Sequence, residues 1–232
     1  MNALLIGATG ATGKDLLDLL LKDDSFDQVD IFVRRDLAVQ HEKLKIHVID
    51  FTKPDQWKHL VKGDVLFSCL GTTLKEAGSK EAQWKVDYDY QYQFAKFAKE
   101  NHVNHFVLVS SGFSSSNSLF FYTRMKGQLE EAVKDLDFPK LSIFNPPVLI
   151  RKNSDRTMEV AGLKAIQLFN KIGILQYQKP LPTEILAQAM INSSQLKENG
   201  IFRIKGKAIW KCAQQIINEY SIEQILCQTA PK

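Results

Sequence analysis

The chain has little cysteine, with only Cys69, Cys212 and Cys227 among its 232 residues. Three thiols at unrelated spacings make neither a disulfide framework nor a zinc ligand set, so no metal is expected. No apolar stretch approaches the roughly 18 residues that a membrane-crossing helix needs, so no membrane partner is expected. No run of five like charges occurs, and 30 basic against 26 acidic residues leave a formal charge of only +4. That balance speaks against nucleic acid as a partner. The first apolar run begins at Ala3, which leaves no space for a cleavable leader, so a reduced, cytoplasmic setting is the expectation.

What is present is the composition of a folded globular chain, with 44% hydrophobic and 24% charged residues. The length suits one domain with a substantial core, residues 1–232. Short branched apolar runs recur at NALLI (2–6), QVDIFV (28–33), KIHVI (45–49), VLFSCL (65–70), HFVLV (105–109) and LSIF (141–144). Between them, KDLLDLLLK (14–22), PDQWKHLVK (54–62) and MKGQLEEAVKDL (125–136) carry apolar residues at three- and four-residue intervals. Strands alternating with helices predict an α/β fold, a doubly wound parallel sheet covered on both faces.

One segment carries two periods. Val86, Tyr88, Tyr90, Tyr92 and Phe94 alternate with polar residues as in a strand, yet Val86, Tyr90, Phe94 and Phe97 also fit one helical stripe. Because the segment runs into AKFAKE, helix is the reading. Trp84, Tyr88 and Tyr92 then form a second stripe too apolar for a solvated face, which suggests a homodimer contact. Beyond Pro147, a helix over 155–171, a loop at Pro180 and Pro182, a helix over 183–193, the strand GIFRI and a last helix are expected. Together, 148–232 would build a small lid continuous with the domain, over the strand ends.

The first strand ends in GATGATG, with Gly7, Gly10 and Gly13 where the first helix begins. Glycines permit a tight turn and close backbone approach to a pyrophosphate, and the helix N-terminus presents free N–H groups with partial positive charge. This marks a Rossmann-type dinucleotide loop. NAD enzymes place a carboxylate at the end of the second strand to bind the ribose; here FVRRD offers Arg34 and Arg35, which suit a 2′-phosphate. NADP(H) is therefore expected over NAD(H), the other reading being a basic turn with Asp36 on the ribose.

Two tyrosines stand four residues before a lysine, in YQFAK (Tyr92, Lys96) and YTRMK (Tyr122, Lys126). On a helix that spacing brings phenol and ammonium to one face, where the cation favours the phenolate. His102 and His105 lack partner ligands for a metal, and Cys69 inside a strand reads as a core residue.

In order along the chain, GATGATG, RRD, CLGTT followed by KEAG, VDYDY, HFVLVSSG, LFFYTRMKG and FNPPVLI resemble the short-chain dehydrogenase/reductase superfamily over about residues 2 to 150. The likeness is to its extended and atypical branches, and within them to the small atypical reductases related to the HIV Tat-interacting oxidoreductase. The resemblance implies that Thr9, Gly10, Ala11 and Thr12 line the pyrophosphate and that Arg34 and Arg35 hold the 2′-phosphate. Asp50 and Phe51 match positions near adenine, Leu70 and Gly71 match backbone contacts to the cofactor, and Pro147 and Val148 match nicotinamide contacts. Ser111, Tyr122 and Lys126 match the catalytic triad, Ser110 being the adjacent alternative to Ser111; Tyr122 and Lys126 also meet the cofactor. Asn145 stands where many relatives carry arginine. The implied activity is an NADP(H)-dependent oxidoreductase reducing a small carbonyl compound; the alternative is an NADPH-binding redox-sensing regulatory protein.

Overall fold

The computed structural model describes residues 1–150 and 180–214. Seven parallel strands form the sheet: β1 (Asn2–Ile6), β2 (Gln28–Val33), β3 (Leu44–Val48), β4 (Val65–Ser68), β5 (His105–Val109), β6 (Lys140–Asn145) and β9 (Gly200–Lys205). Their spatial order is β3-β2-β1-β4-β5-β6-β9, so the winding reverses between β1 and β4. A crevice opens at such a reversal, outside the carboxyl ends of the strands. The Rossmann-type α/β fold expected from the alternation is the fold observed.

Both faces of the sheet are covered, because successive residues of a strand point to opposite sides. On β1, Ala3 and Leu5 face a core shared with α1 (Ala11–Lys22) and α6 (Thr183–Ser194), through Leu16, Leu20, Leu186 and Met190. Leu4 and Ile6 face the other core, built with α4 (Tyr90–Glu100) and α5 (Phe121–Lys134) through Phe94, Leu129 and Val133. That double burial explains why the strands read as continuous apolar runs.

The segment with two periods is helical throughout, but not uniformly. After α2 (Leu74–Ala77), α3 (Lys80–Trp84) passes into a π-helical turn over Lys85–Asp89 and then into α4. PDQWKHLVK departs from expectation, forming only two 3₁₀ turns, Pro54–Gln56 and Lys58–Leu60. Trp57 is the reason. It is buried, its Nε1 donates to the Asp50 carbonyl at 2.8 Å, and its ring stacks on Phe94 at 4.4 Å, which anchors mid-segment what a longer helix would have to turn.

The expected lid is described only in part. β7 (Leu149–Ile150) pairs with β8 (Leu181–Pro182), β9 joins the main sheet beside β6, and α6 shares a core with α1. With α7 (Lys207–Gln214), residues 181–214 thus belong to the body of the fold. The helix expected over 155–171 lies outside the described residues.

Candidate active site

The β1–α1 turn is held by backbone. Gly7 has φ of +83°, and Gly10 N–H donates to its carbonyl at 3.0 Å. A Cβ on Gly7 would stand 2.5 Å from the Cys69 carbonyl carbon, while one on Gly13 would stand 2.0 Å from Gly7 O. Both obstacles are main chain, which has no rotamer to yield. α1 starts after Gly10 with no side-chain cap, so its first amides keep their free N–H groups for a ligand. Gly13→Ala should therefore lower stability by about 1 to 3 kcal/mol and weaken dinucleotide binding, read by thermal melting and fluorescence titration. An unchanged melting curve with unchanged affinity would show that the turn is not so constrained.

Two adjoining cavities run across the strand ends and share Gly10, Cys69, Leu70, Gly71 and Thr72. One, of about 520 Å³, is lined by Gly7, Thr9, Phe32, Arg34, Phe51 and Tyr90 among others. The other, of about 640 Å³, includes Ala11, Thr12, Ser110, Tyr122, Lys126 and Leu149. Eleven residues expected at the site therefore border one groove: Gly7, Thr9, Gly10, Ala11, Thr12, Arg34, Phe51, Leu70, Gly71, Tyr122 and Lys126.

Six expected residues do not line it. Gly13 lies beneath the turn, packed on Gly7. Arg35 is exposed beside Arg34. Asp50 is exposed outside both cavities, its Oδ1 accepting from Thr52 N and Oγ1 at 2.9 and 2.6 Å. Of the two adjacent serines, Ser110 and not Ser111 borders the second cavity. Pro147 and Val148 are replaced by Leu149, the Val148 carbonyl being taken by Leu181 N at 2.9 Å. Tyr92 stays outside, stacked in a ladder of Trp84, Tyr88 and Tyr92 with centroid spacings of 4.7 and 6.2 Å.

Two buried carboxylates escaped the sequence reading. Asp87, in the π turn, stands 2.9 Å from Lys126 Nζ; the two side chains are 1% and 3% exposed. Lys126 is the ion-pair partner of Asp87 Oδ1, a buried oxygen that takes no other donor among the described residues. Its Oδ2 accepts from Thr72 N at 2.8 Å, which ties the groove-lining loop after β4 to the same carboxylate. Burial works most strongly against the charge on Lys126, but Asp87, helped by Tyr122 and Glu130, outweighs it and holds the ammonium above the ordinary lysine range. Lys126 Nζ also lies 5.9 Å from the centroid of the Tyr122 ring. Glu130 is the second, one turn beyond Lys126, so that Tyr122, Lys126 and Glu130 form one stripe of α5. The Cys69 thiol is pushed up to about 12 by burial, which leaves it no thiolate chemistry near neutrality.

The chain's residues 7–142 match the family model described as NAD(P)H-binding. A relative from Meyerozyma guilliermondii, "Protein FMP52, mitochondrial", is 33% identical over 95% of this chain and 99% of its own length. "Protein HTATIP2" from Rattus norvegicus is 38% identical over 64% of this chain and 63% of its own. Among solved structures, a short-chain dehydrogenase/reductase superfamily protein from Agrobacterium tumefaciens with bound NAD superposes with a TM-score of 0.66 at 13% identity, over 88% and 77% of the two chains. The cytoplasmic expectation does not survive these relatives. The Meyerozyma protein is named mitochondrial, and so are two further fungal ones. The dinucleotide turn, the groove at the sheet's reversal and these likenesses together identify the chain as a member of the NAD(P)H-binding family, with a fold shared with the short-chain dehydrogenase/reductase structure.

Proposed function

We propose that the protein is an NADP(H)-dependent reductase of small carbonyl compounds, with Tyr122 as proton donor, Lys126 as its charged neighbour and Ser110 as the serine of the triad. The observation that carries this reading is that Ser110, Tyr122 and Lys126 border the same cavity as the phosphate turn. The residues fit the dinucleotide: the turn presents α1's free amides where a phosphate would lie, and a Cβ on Gly7 or Gly13 would close it. When bound, NADPH supplies the hydride. Tyr122 gives its phenolic proton to the carbonyl oxygen as the carbon accepts the hydride, and the Lys126 ammonium favours the phenolate left behind.

The preference for NADP(H) rests on Arg34. It lines the cavity beyond β2 and, among the described residues, makes no ion pair, whereas the neighbouring Asp36 carboxylate is turned to the Leu37 amide at 2.8 Å. A guanidinium there suits a 2′-phosphate. Arg34→Ala should raise the NADPH dissociation constant about 10-fold or more and leave NADH nearly unaffected in paired titrations; equal losses would overturn the assignment. The half-buried Trp84, Tyr88 and Tyr92 ladder supports self-association, and light scattering showing a monomer at high concentration would count against it. The names of the fungal relatives support a mitochondrial setting.

The reductase reading is tested by NADPH consumption over aldehydes, ketones and quinones. Turnover abolished or sharply cut in Tyr122→Phe is the expected result. NADPH binding without turnover of any compound would favour a cofactor-binding regulatory protein, a reading that buried, satisfied Lys126 does not itself require.

A further inference from the structure

Glu130 gathers side chains from the ends of β5 and β6 and from within β9. One carboxylate oxygen, Oε1, accepts from Ser110 Oγ after β5, from Ser114 Oγ in the following loop, and from Asn145 Nδ2 at the end of β6, the last at 2.7 Å. The other oxygen meets Arg203 of β9 at 2.5 Å. The Glu130 side chain is 1% exposed, and a buried carboxylate so surrounded is compensated by opposite charge and by donors on both oxygens.

The consequence concerns Ser110. A serine hydroxyl has one proton and two lone pairs. That proton is directed at Glu130, so toward the cavity Ser110 offers lone pairs only. Beside it, Asn145 Oδ1 is buried and accepts from no donor among the described residues. Tyr122, which lines the same cavity as Ser110, brings a phenolic O–H.

We propose that Glu130 is a positioning residue that fixes Ser110 as a hydrogen-bond acceptor, so that the site selects carbonyl compounds that also carry a hydroxyl group. In such a ligand the carbonyl oxygen accepts from Tyr122 and the hydroxyl donates to Ser110. A ligand lacking the hydroxyl leaves the serine lone pairs buried without a partner, and sites built around a hydrogen bond reject analogues that cannot make it. This inference rests on the reductase reading for the orientation of the carbonyl, but it is tested by binding alone.

Protein saturated with NADP⁺, which cannot deliver hydride, is titrated with acetoin and with butanone, its analogue without the hydroxyl. Wild type should bind acetoin about five- to tenfold more tightly. Ser110→Ala should erase that preference, and Glu130→Gln, by letting the serine proton turn toward the cavity, should reduce it, with NADP⁺ affinity unchanged in both. A merely structural role for Glu130 would weaken both ligands and the cofactor together. Equal binding of the pair by wild type, binding of neither, or a preference that survives Ser110→Ala overturns the proposal. Preference without turnover when NADPH replaces NADP⁺ upholds it and defeats the reductase reading; turnover of both compounds with no preference does the reverse.

Discussion

Asp87→Asn is expected to cost the folded protein about 3 to 5 kcal/mol at neutral pH, because it leaves the buried Lys126 ammonium without its counter-charge. The shape of that loss with pH distinguishes it from a simple packing defect. In the native protein Lys126 is held above its ordinary value of 10.5, so its contribution is complete below that pH and is lost only as pH rises through the higher folded value. In the variant, burial has lost its main opponent and the lysine falls below its ordinary value. Between the new folded value and 10.5 the unfolded chain then binds more protons than the folded one. Stability of the variant should rise with pH across that window, and the gap to wild type should narrow. Urea unfolding at about pH 7 and about pH 9.5 reads the effect. A loss under about 1 kcal/mol at the lower pH, or a gap that does not change, would mean that the two charges are better solvated than their burial indicates.

Tyr122→Phe should cut turnover of an accepted carbonyl compound by about 10² to 10⁴-fold while leaving NADPH affinity within about twofold. The ring stays, so the packing of α5 is preserved, and only the transferable proton is removed. Tyr122 is among the more exposed aromatic residues, at 40%, which is what a group that meets substrate requires and a core residue would not show. The helix bearing it is held from below, since Ser115 N donates to the Thr123 carbonyl at 3.0 Å and Arg124 Nη1 to the Ser118 carbonyl at 3.0 Å. A rate equal to wild type would remove Tyr122 from the chemistry, whatever its place in the groove.

Much of the candidate site was legible because its signals are local. GATGATG needs only the strand before it and the helix after it, and the structure supplies the close contact of Gly13 with Gly7 that such a turn requires. The Tyr122 and Lys126 spacing needs only a helix. The choice between this pair and Tyr92 with Lys96 needed the order of elements, and the groove does border the first pair and neither member of the second.

Other residues depended on more than spacing. Ser110 and Ser111 stand side by side in the sequence, and only the assembled groove shows that Ser110 is the one bordering it. Asp87 alternates with tyrosines and reads as a polar face; the π turn over Lys85–Asp89 changes the rotation per residue, and Asp87 is buried against Lys126, 39 positions later. Glu130 reads as one more charge on an amphipathic helix. It is buried because Ser110, Ser114, Asn145 and Arg203 converge on it, and Arg203 lies 73 residues away.

The sequence by itself determined the alternation of strand and helix, the dinucleotide turn and the helix that carries Tyr122 and Lys126, because each depends on side-chain period, glycine spacing or helical pitch within a few residues. Only the tertiary structure decided which serine borders the cavity and which carboxylates stand behind Ser110 and Lys126. Those outcomes depend on how β5, β6, β9 and the π turn meet, and burial and charge pairing between distant segments arise only when the sheet is assembled.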